Sequence, residues 1–185
     1  MDIIQITDLH ISKDKSDSKH DCLPYERLAD ILEHISTNHS QNSNLVITGD
    51  LSSDFTHESY KNISSLIKQF EFNVSILPGN HDDLNMMQLI CDDQIRLESL
   101  HCENKYFTVF NFDTHIQDNV RGVINKREIE NLESELLVNR TNVVIFSHHP
   151  LLKVNSYWID KNITENNNLL LSLIHISEPT RLSAI

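Results

Sequence analysis

Four short apolar runs in this chain each end in a cluster of residue types that bind metals. Ile3-Ile4-Gln5-Ile6-Thr7 leads into Asp8-Leu9-His10, and Leu45-Val46-Ile47-Thr48 into Gly49-Asp50. Val74-Ser75-Ile76-Leu77 leads into Pro78-Gly79-Asn80-His81-Asp82, and Val143-Val144-Ile145-Phe146-Ser147 into His148-His149-Pro150. Short β-branched runs are buried-strand signals. If the four strands are neighbours in one parallel sheet, all four clusters emerge at its carboxyl edge, where open α/β sheets place their sites. Asp, His, Asn and His converging on one edge point to a binuclear metal centre.

The segments between the runs read as helices. Pro24 opens a pattern with Leu28, Ile31, Leu32 and Ile35 on one face, and Thr56 precedes a stripe of Tyr60, Ile63, Ile67 and Phe70. A short helix is expected around 83–91 and a further strand over Tyr106 to Phe112. Asn125, with Glu128 three residues on, resembles a capping arrangement ahead of Ile129, Leu132, Leu136 and Leu137. Strand and helix therefore alternate, with a step of about 30 residues from Asp50 to Asn80 that suits a βαβ unit. The fold class is α/β. Of only three glycines, Gly49 and Gly79 fall at the clusters, which marks where the backbone is constrained.

Bulk properties narrow the function. With 185 residues the chain is long enough for one domain with a core. A net charge of −12 argues against binding a nucleic-acid backbone over a broad surface, although bound cations would reverse the field locally for a small phosphate ester. Cys22, Cys91 and Cys102 are an odd number without CxxC spacing, the pattern of free thiols in a reducing cytoplasm. The first residues show neither a basic n-region nor a long apolar stretch, and no run approaches a membrane span. The expectation is a cytoplasmic protein with no membrane span and no nucleic-acid partner; oligomeric state is not readable.

Singly the clusters are weak: Asp-x-His at a strand end also makes loop hydrogen bonds, and Gly-Asp makes ordinary turns. Gly-Asn-His-Asp is the most specific. Together and in this order they resemble the calcineurin-like metallophosphoesterase superfamily, over roughly residues 2 to 170. TGDLS, PGNHDD, and HHP followed by Trp158 and Asp160 are most similar to its class III 3′,5′-cyclic-nucleotide phosphodiesterase branch. The resemblance implies an α/β/β/α sandwich and a small phosphodiester substrate, 3′,5′-cyclic AMP or a related cyclic nucleotide. This would be opened to the 5′-monophosphate by a hydroxide bridging two divalent ions (Mn, Fe or Zn). Carried over residue by residue, Asp8 and His10 bind one metal, Asp50 bridges, and Asn80 and His148 bind the other. Asn80 and His81 face the substrate, and His81 contacts the phosphate or protonates the leaving oxygen. Alternatives are a glycerophosphodiesterase, a UDP-lipid hydrolase, or a non-catalytic scaffold. The last is disfavoured, since a scaffold has no need of the ligand set.

Other residues take simpler readings. His149 reads as a loop hydrogen-bonding residue, Asp82 as a turn holder or partner to a ligand, and Asp54 and Asp83 as solvated charges. Met86 and Met87 read as core filler, and Trp158 and Asp160 either line the substrate pocket or pack ordinarily. The superfamily's final Gly-His-x-His block has no counterpart here, and LSLIHISEPTR (Leu171 to Arg181) resembles a translated sequencing-library adapter. The expectation is a catalytic domain over 1–170, incomplete at its C-terminal end, a non-native tail over 171–185, and impaired activity in this chain.

Overall fold

A computed structural model describes residues 2–19, 21–40, 43–97, 107–138 and 142–177. His20, His101, Cys102, Tyr106 and the tail from 178 lie outside the described residues. In chain order the elements are β1 (Ile3–Ile6), α1 (Pro24–Asn38), β2 (Asn44–Thr48), α2 (His57–Ile67), β3 (Asn73–Leu77), α3 (Leu84–Leu89), β4 (Ile95–Arg96), β5 (Phe107–Asn111), α4 (Lys126–Val138), β6 (Asn142–Phe146) and α5 (Asn167–Ser177). A 3₁₀ turn covers Ile159–Asn162.

The first four strands form one parallel sheet in the order β1-β2-β3-β4. β5 and β6 pair in parallel as a second, two-stranded sheet. The run ending at His148 is therefore not a neighbour of the other three, and the single-sheet arrangement does not hold. Its carboxyl end reaches the common rim from the opposing sheet. The short strand β4 has no apolar run of its own to announce it.

Alternation along each strand sorts side chains into layers. Leu45, Ile47, Val74 and Ile76 join Leu28, Leu32 and Ile35 of α1 and Tyr60, Ile63 and Ile67 of α2 in the main core. On the other face of β2, Val46 meets Val109 of β5, with Ile3 and Phe146 packed beside them. The Asn111 side chain donates to the Ser75 hydroxyl across the same seam. Phe110, Val143 and Ile145 pack with Leu132 of α4 and Leu170 of α5. The order of layers is helices, sheet, sheet, helices: a mixed α/β sandwich in which β2 and all but the first residue of β3 are buried on both faces. α5 continues through residue 170, and Leu173 and Ile174 pack against the second core.

The helix starts follow their signals. Pro24 occupies the first turn of α1, and the Thr56 hydroxyl accepts the Ser59 N–H at the start of α2. At α4 the Asn125 side chain accepts from Arg127 N at 2.9 Å. Among the described residues the Glu128 side chain does not return the bond to Asn125; the Asn125 carbonyl accepts the Glu128 N–H at 3.1 Å. Asp54 and Asp83 are not merely solvated. Asp83 accepts from Asn85 N and Met86 N to cap α3, and Asp54 accepts from Lys13 N and from both the N–H and the hydroxyl of Thr56.

Candidate metal centre

The loops after β1 and β2 are zipped together by their backbones. Asp8 N donates to Gly49 O at 3.1 Å, His10 N to Asp50 O at 2.9 Å and Ile11 N to Leu51 O at 2.9 Å. This zipper holds Asp8, His10 and Asp50 in the left-handed region, at φ 56°, 46° and 54°. Such conformations are unfavourable for residues with a side chain and gather where surrounding structure imposes them, above all at functional sites. The two cluster glycines explain themselves here. Gly49 has φ +95°, and a Cβ on it would lie 2.5 Å from His148 Nδ1. A Cβ on Gly79 would overlap Asp50 Oδ1.

All five residues of the expected ligand set meet at this rim. Asp8, His10 and Asp50 each present one ligand atom, all within 4.8 Å of one another. His10 Nε2 lies 3.6 Å from Asp50 Oδ2 and 3.8 Å from Asp8 Oδ1. On the other side, His148 Nε2 lies 3.4 Å from Asp50 Oδ1 and 3.4 Å from Asn80 Oδ1. Asp50 thus stands between two imidazoles, one oxygen toward each. His148 Nδ1 sits 2.8 Å from the Thr48 carbonyl, which can only accept, so Nδ1 carries the proton and Nε2 turns its lone pair inward. In the neutral ring that lone pair then faces two acceptor oxygens with no donor between. Acceptors arranged this way suit a cation, and oxygen and imidazole donors suit Mn²⁺, Fe or Zn²⁺. Burial and the Lys19 ammonium push the His10 pKa down against the pull of Asp50 and Asp8, which favours the neutral, ligating ring.

Asp82 is the anchor beneath. It is 1% exposed, and its carboxylate accepts from Leu51 N, Ser52 N, Gly79 N and the Tyr60 hydroxyl at 3.0–3.2 Å. Burial pushes its carboxyl up to about 6 despite these donors. Tyr60 also accepts the Asp83 N–H at 2.8 Å. One carboxylate so joins the turn carrying Asp50, the turn carrying Asn80, and α2. The reading of Asp82 as a turn holder is the one this geometry favours.

His81 sits beside the cluster. Its N–H donates to Asp50 Oδ1 at 2.9 Å, and its ring meets His10 edge-on at a centroid distance of 5.4 Å. A cleft of about 870 Å³ opens over the centre. Its polar floor is Asp8, His10, Asp50, Asn80, His81 and His148; its wall includes Leu152, Val154, Trp158 and Ile159. Trp158 is 75% exposed, so it lines the cleft rather than packing in a core. Asp160 holds this wall by accepting Val154 N at 2.9 Å. His149 is buried behind the rim with Nδ1 2.8 Å from the Thr114 hydroxyl, and burial and His148 push its pKa down to about 4. Two residues escaped sequence reasoning. Lys19 is the cleft's cation among the described lining residues, and Phe55 stacks on His81. Neither belongs to a strand-end cluster, so no spacing signal marked them.

Fold and rim together define a candidate cation site, lined by oxygen and imidazole donors, at the carboxyl edge of an α/β sandwich. The family model described as calcineurin-like phosphoesterase matches residues 1–174, and the chain belongs to that family. Divalent metal ions are part of what that family implies. A Nostoc protein named 3′,5′-cyclic-nucleotide phosphodiesterase is 31% identical over 93% of this chain and 65% of its own length. Haemophilus influenzae and Vibrio vulnificus proteins named 3′,5′-cyclic adenosine monophosphate phosphodiesterase are 25% and 26% identical, over 93% and 86% of this chain and 64% and 59% of their own. The chain thus spans under two thirds of these relatives' length. Among the described residues no helix is long and apolar enough to cross a membrane.

Proposed function

We propose that this chain is the catalytic part of a metal-dependent phosphodiesterase that opens a 3′,5′-cyclic nucleotide, cyclic AMP above all, to the 5′-monophosphate. The observation that carries the reading is Asp50, with one oxygen toward His10 and the other toward His148. That arrangement suits two cations sharing one carboxylate, the first held also by Asp8 and His10, the second by Asn80 and His148. Two bound divalent ions (Mn, Fe or Zn) would acidify a water between them and supply the attacking group without a side-chain base. The chain's own residues then orient and protonate. His81 stands at the cluster's edge, where it contacts the phosphate or delivers a proton to the departing 3′ oxygen. Lys19 offers the cleft a positive charge for the diester anion. The apolar wall with Trp158 suits a flat base. The names of the relatives support the same substrate class.

The same reading sets the domain at 1–170 and treats 171–185 as a non-native tail. Independent sequencing of the gene across Leu170 tests that boundary. Side-by-side rates on cyclic AMP and a glycerophosphodiester, with Mn²⁺ present, test the substrate. Faster glycerophosphodiester hydrolysis would transfer the assignment to that activity. His81→Ala is expected to lower turnover with metal content unchanged; loss of metal would make His81 a ligand instead.

A further inference from the structure

Phe55 is placed where neither folding nor solvation favours it. Its φ is +58°, a region that bulky residues rarely enter, and the side chain is 47% exposed. It is not part of any apolar core cluster; its ring stacks on His81, centroids 6.1 Å apart and planes at 24°. The loop around it imposes this position. The Ser52 hydroxyl accepts Phe55 N at 2.9 Å and Asp54 N at 3.2 Å and bonds the Ser59 hydroxyl at 2.7 Å. The Asp54 carboxylate fixes the next residue through Thr56 N and the Thr56 hydroxyl, and the preceding loop through Lys13 N. A strained conformation persists where its surroundings over-determine it, and this loop has hydrogen bonds on both sides of Phe55.

The direction of the contact gives the role. His81 lines the cleft and Phe55 does not. His10 meets the His81 ring edge-on, and Phe55 lies against its face. We infer that Phe55 is a positioning residue: it backs the His81 imidazole and restricts its rotation, so that the ring is presented to the phosphodiester in one orientation. The functional part of this inference rests on the reading of His81 as the group that acts on the diester. In this role Phe55 acts through His81 and not on the diester.

Glycine at this position separates the role from structure, because it accepts the left-handed backbone while deleting the ring. The experiment compares the wild type, Phe55→Gly, Phe55→Tyr and His81→Ala. The first readout is the ¹H–¹³C imidazole spectrum, in which the His81 signal is assigned by its absence in His81→Ala. Phe55→Gly is expected to remove the Phe55 share of the ring-current displacement of that signal, leaving that of His10, while Phe55→Tyr retains it. Tm of Phe55→Gly should be unchanged or higher by up to about 4 °C. The second readout is turnover of bis(p-nitrophenyl) phosphate by the Mn²⁺-saturated protein. Phe55→Gly should lower kcat by roughly 10-fold to 100-fold with KM unchanged, the scale of a displaced catalytic group, and Phe55→Tyr should restore it. An unchanged His81 signal in Phe55→Gly, or a kcat loss matched by a falling Tm, overturns the inference. If His81→Ala keeps full kcat, the reading of His81 fails instead, and the imidazole spectrum alone then decides whether Phe55 orients the ring.

Discussion

Tyr60→Phe removes one oxygen, which takes one of four donors from Asp82 and leaves the Asp83 N–H without its acceptor. The Tyr60 hydroxyl donates to Asp82 Oδ1 at 3.0 Å and accepts the Asp83 N–H at 2.8 Å, and the residue is fully buried. A hydrogen bond to a charged group contributes about 1.5–3 kcal/mol, and stranding a partly buried N–H costs about 1 kcal/mol. The two losses share a residue and do not add fully, so the expected destabilisation is about 3 kcal/mol. For a chain of this length that lowers Tm by roughly 6–12 °C. The assay is urea unfolding of the wild type and variant with a shared m-value, so that a midpoint change reports stability. Leu51 N, Ser52 N and Gly79 N still reach Asp82, so Mn²⁺ affinity should fall less than about 10-fold, below the upper range for lost outer partners. A loss under about 1 kcal/mol would refute the reasoning, because Asp82 would then not depend on Tyr60 as its buried partner.

Three further outcomes follow from the same geometry. Gly79→Ala drives a methyl group into Asp50 Oδ1 and to 2.9 Å from His148 Cε1, so Mn²⁺ binding should weaken by more than 10-fold at an overpacking cost of about 1–3 kcal/mol; unchanged calorimetric affinity would contradict it. Asp113→Asn should stabilise the protein at pH 8 and not at pH 3, by urea titration. Burial raises the Asp113 carboxyl, so its contribution is fully present below the ordinary carboxylate value and is lost as pH rises through the raised one, and an amide escapes that loss while still able to accept the His115 N–H. Equal gains at both pH values would refute this. Lys19→Gln should raise KM for a phosphodiester several-fold with kcat unchanged and reduce the salt dependence of KM, while Lys19→Arg retains both; a kcat effect alone would exclude the charge role.

How far the chain announces this site can be judged residue by residue. Asp8, His10, Asp50 and Asn80 were legible because β-branched runs mark strands, and strands β1, β2 and β3 lie parallel with their carboxyl ends together. The glycine positions were legible for the same reason, since close backbone approach leaves few substitutes. His148 was legible as a member of the set but not by the right route. Apolar runs state that a strand exists and not which sheet takes it, and β6 pairs with β5. The Asp82 anchor was visible only as a polar residue in a turn; its four donors come from three separated segments. Asp54 and Asp83 looked like solvated charges because local hydrogen bonding leaves no periodic signature. Phe55 and Lys19 owe their places to loop geometry, which single-residue patterns do not encode.

In the proposed centre Asp50 is shared between two cation sites, one oxygen toward each. Crystals equilibrated with Mn²⁺ and measured for anomalous scattering at the manganese edge address it directly. Two peaks about 3.5–4 Å apart, one toward Asp8 and His10 and one toward Asn80 and His148 with Asp50 between, are the expected result. Peaks remote from Asp50, or two peaks that persist unmoved in Asp50→Ala, would contradict it.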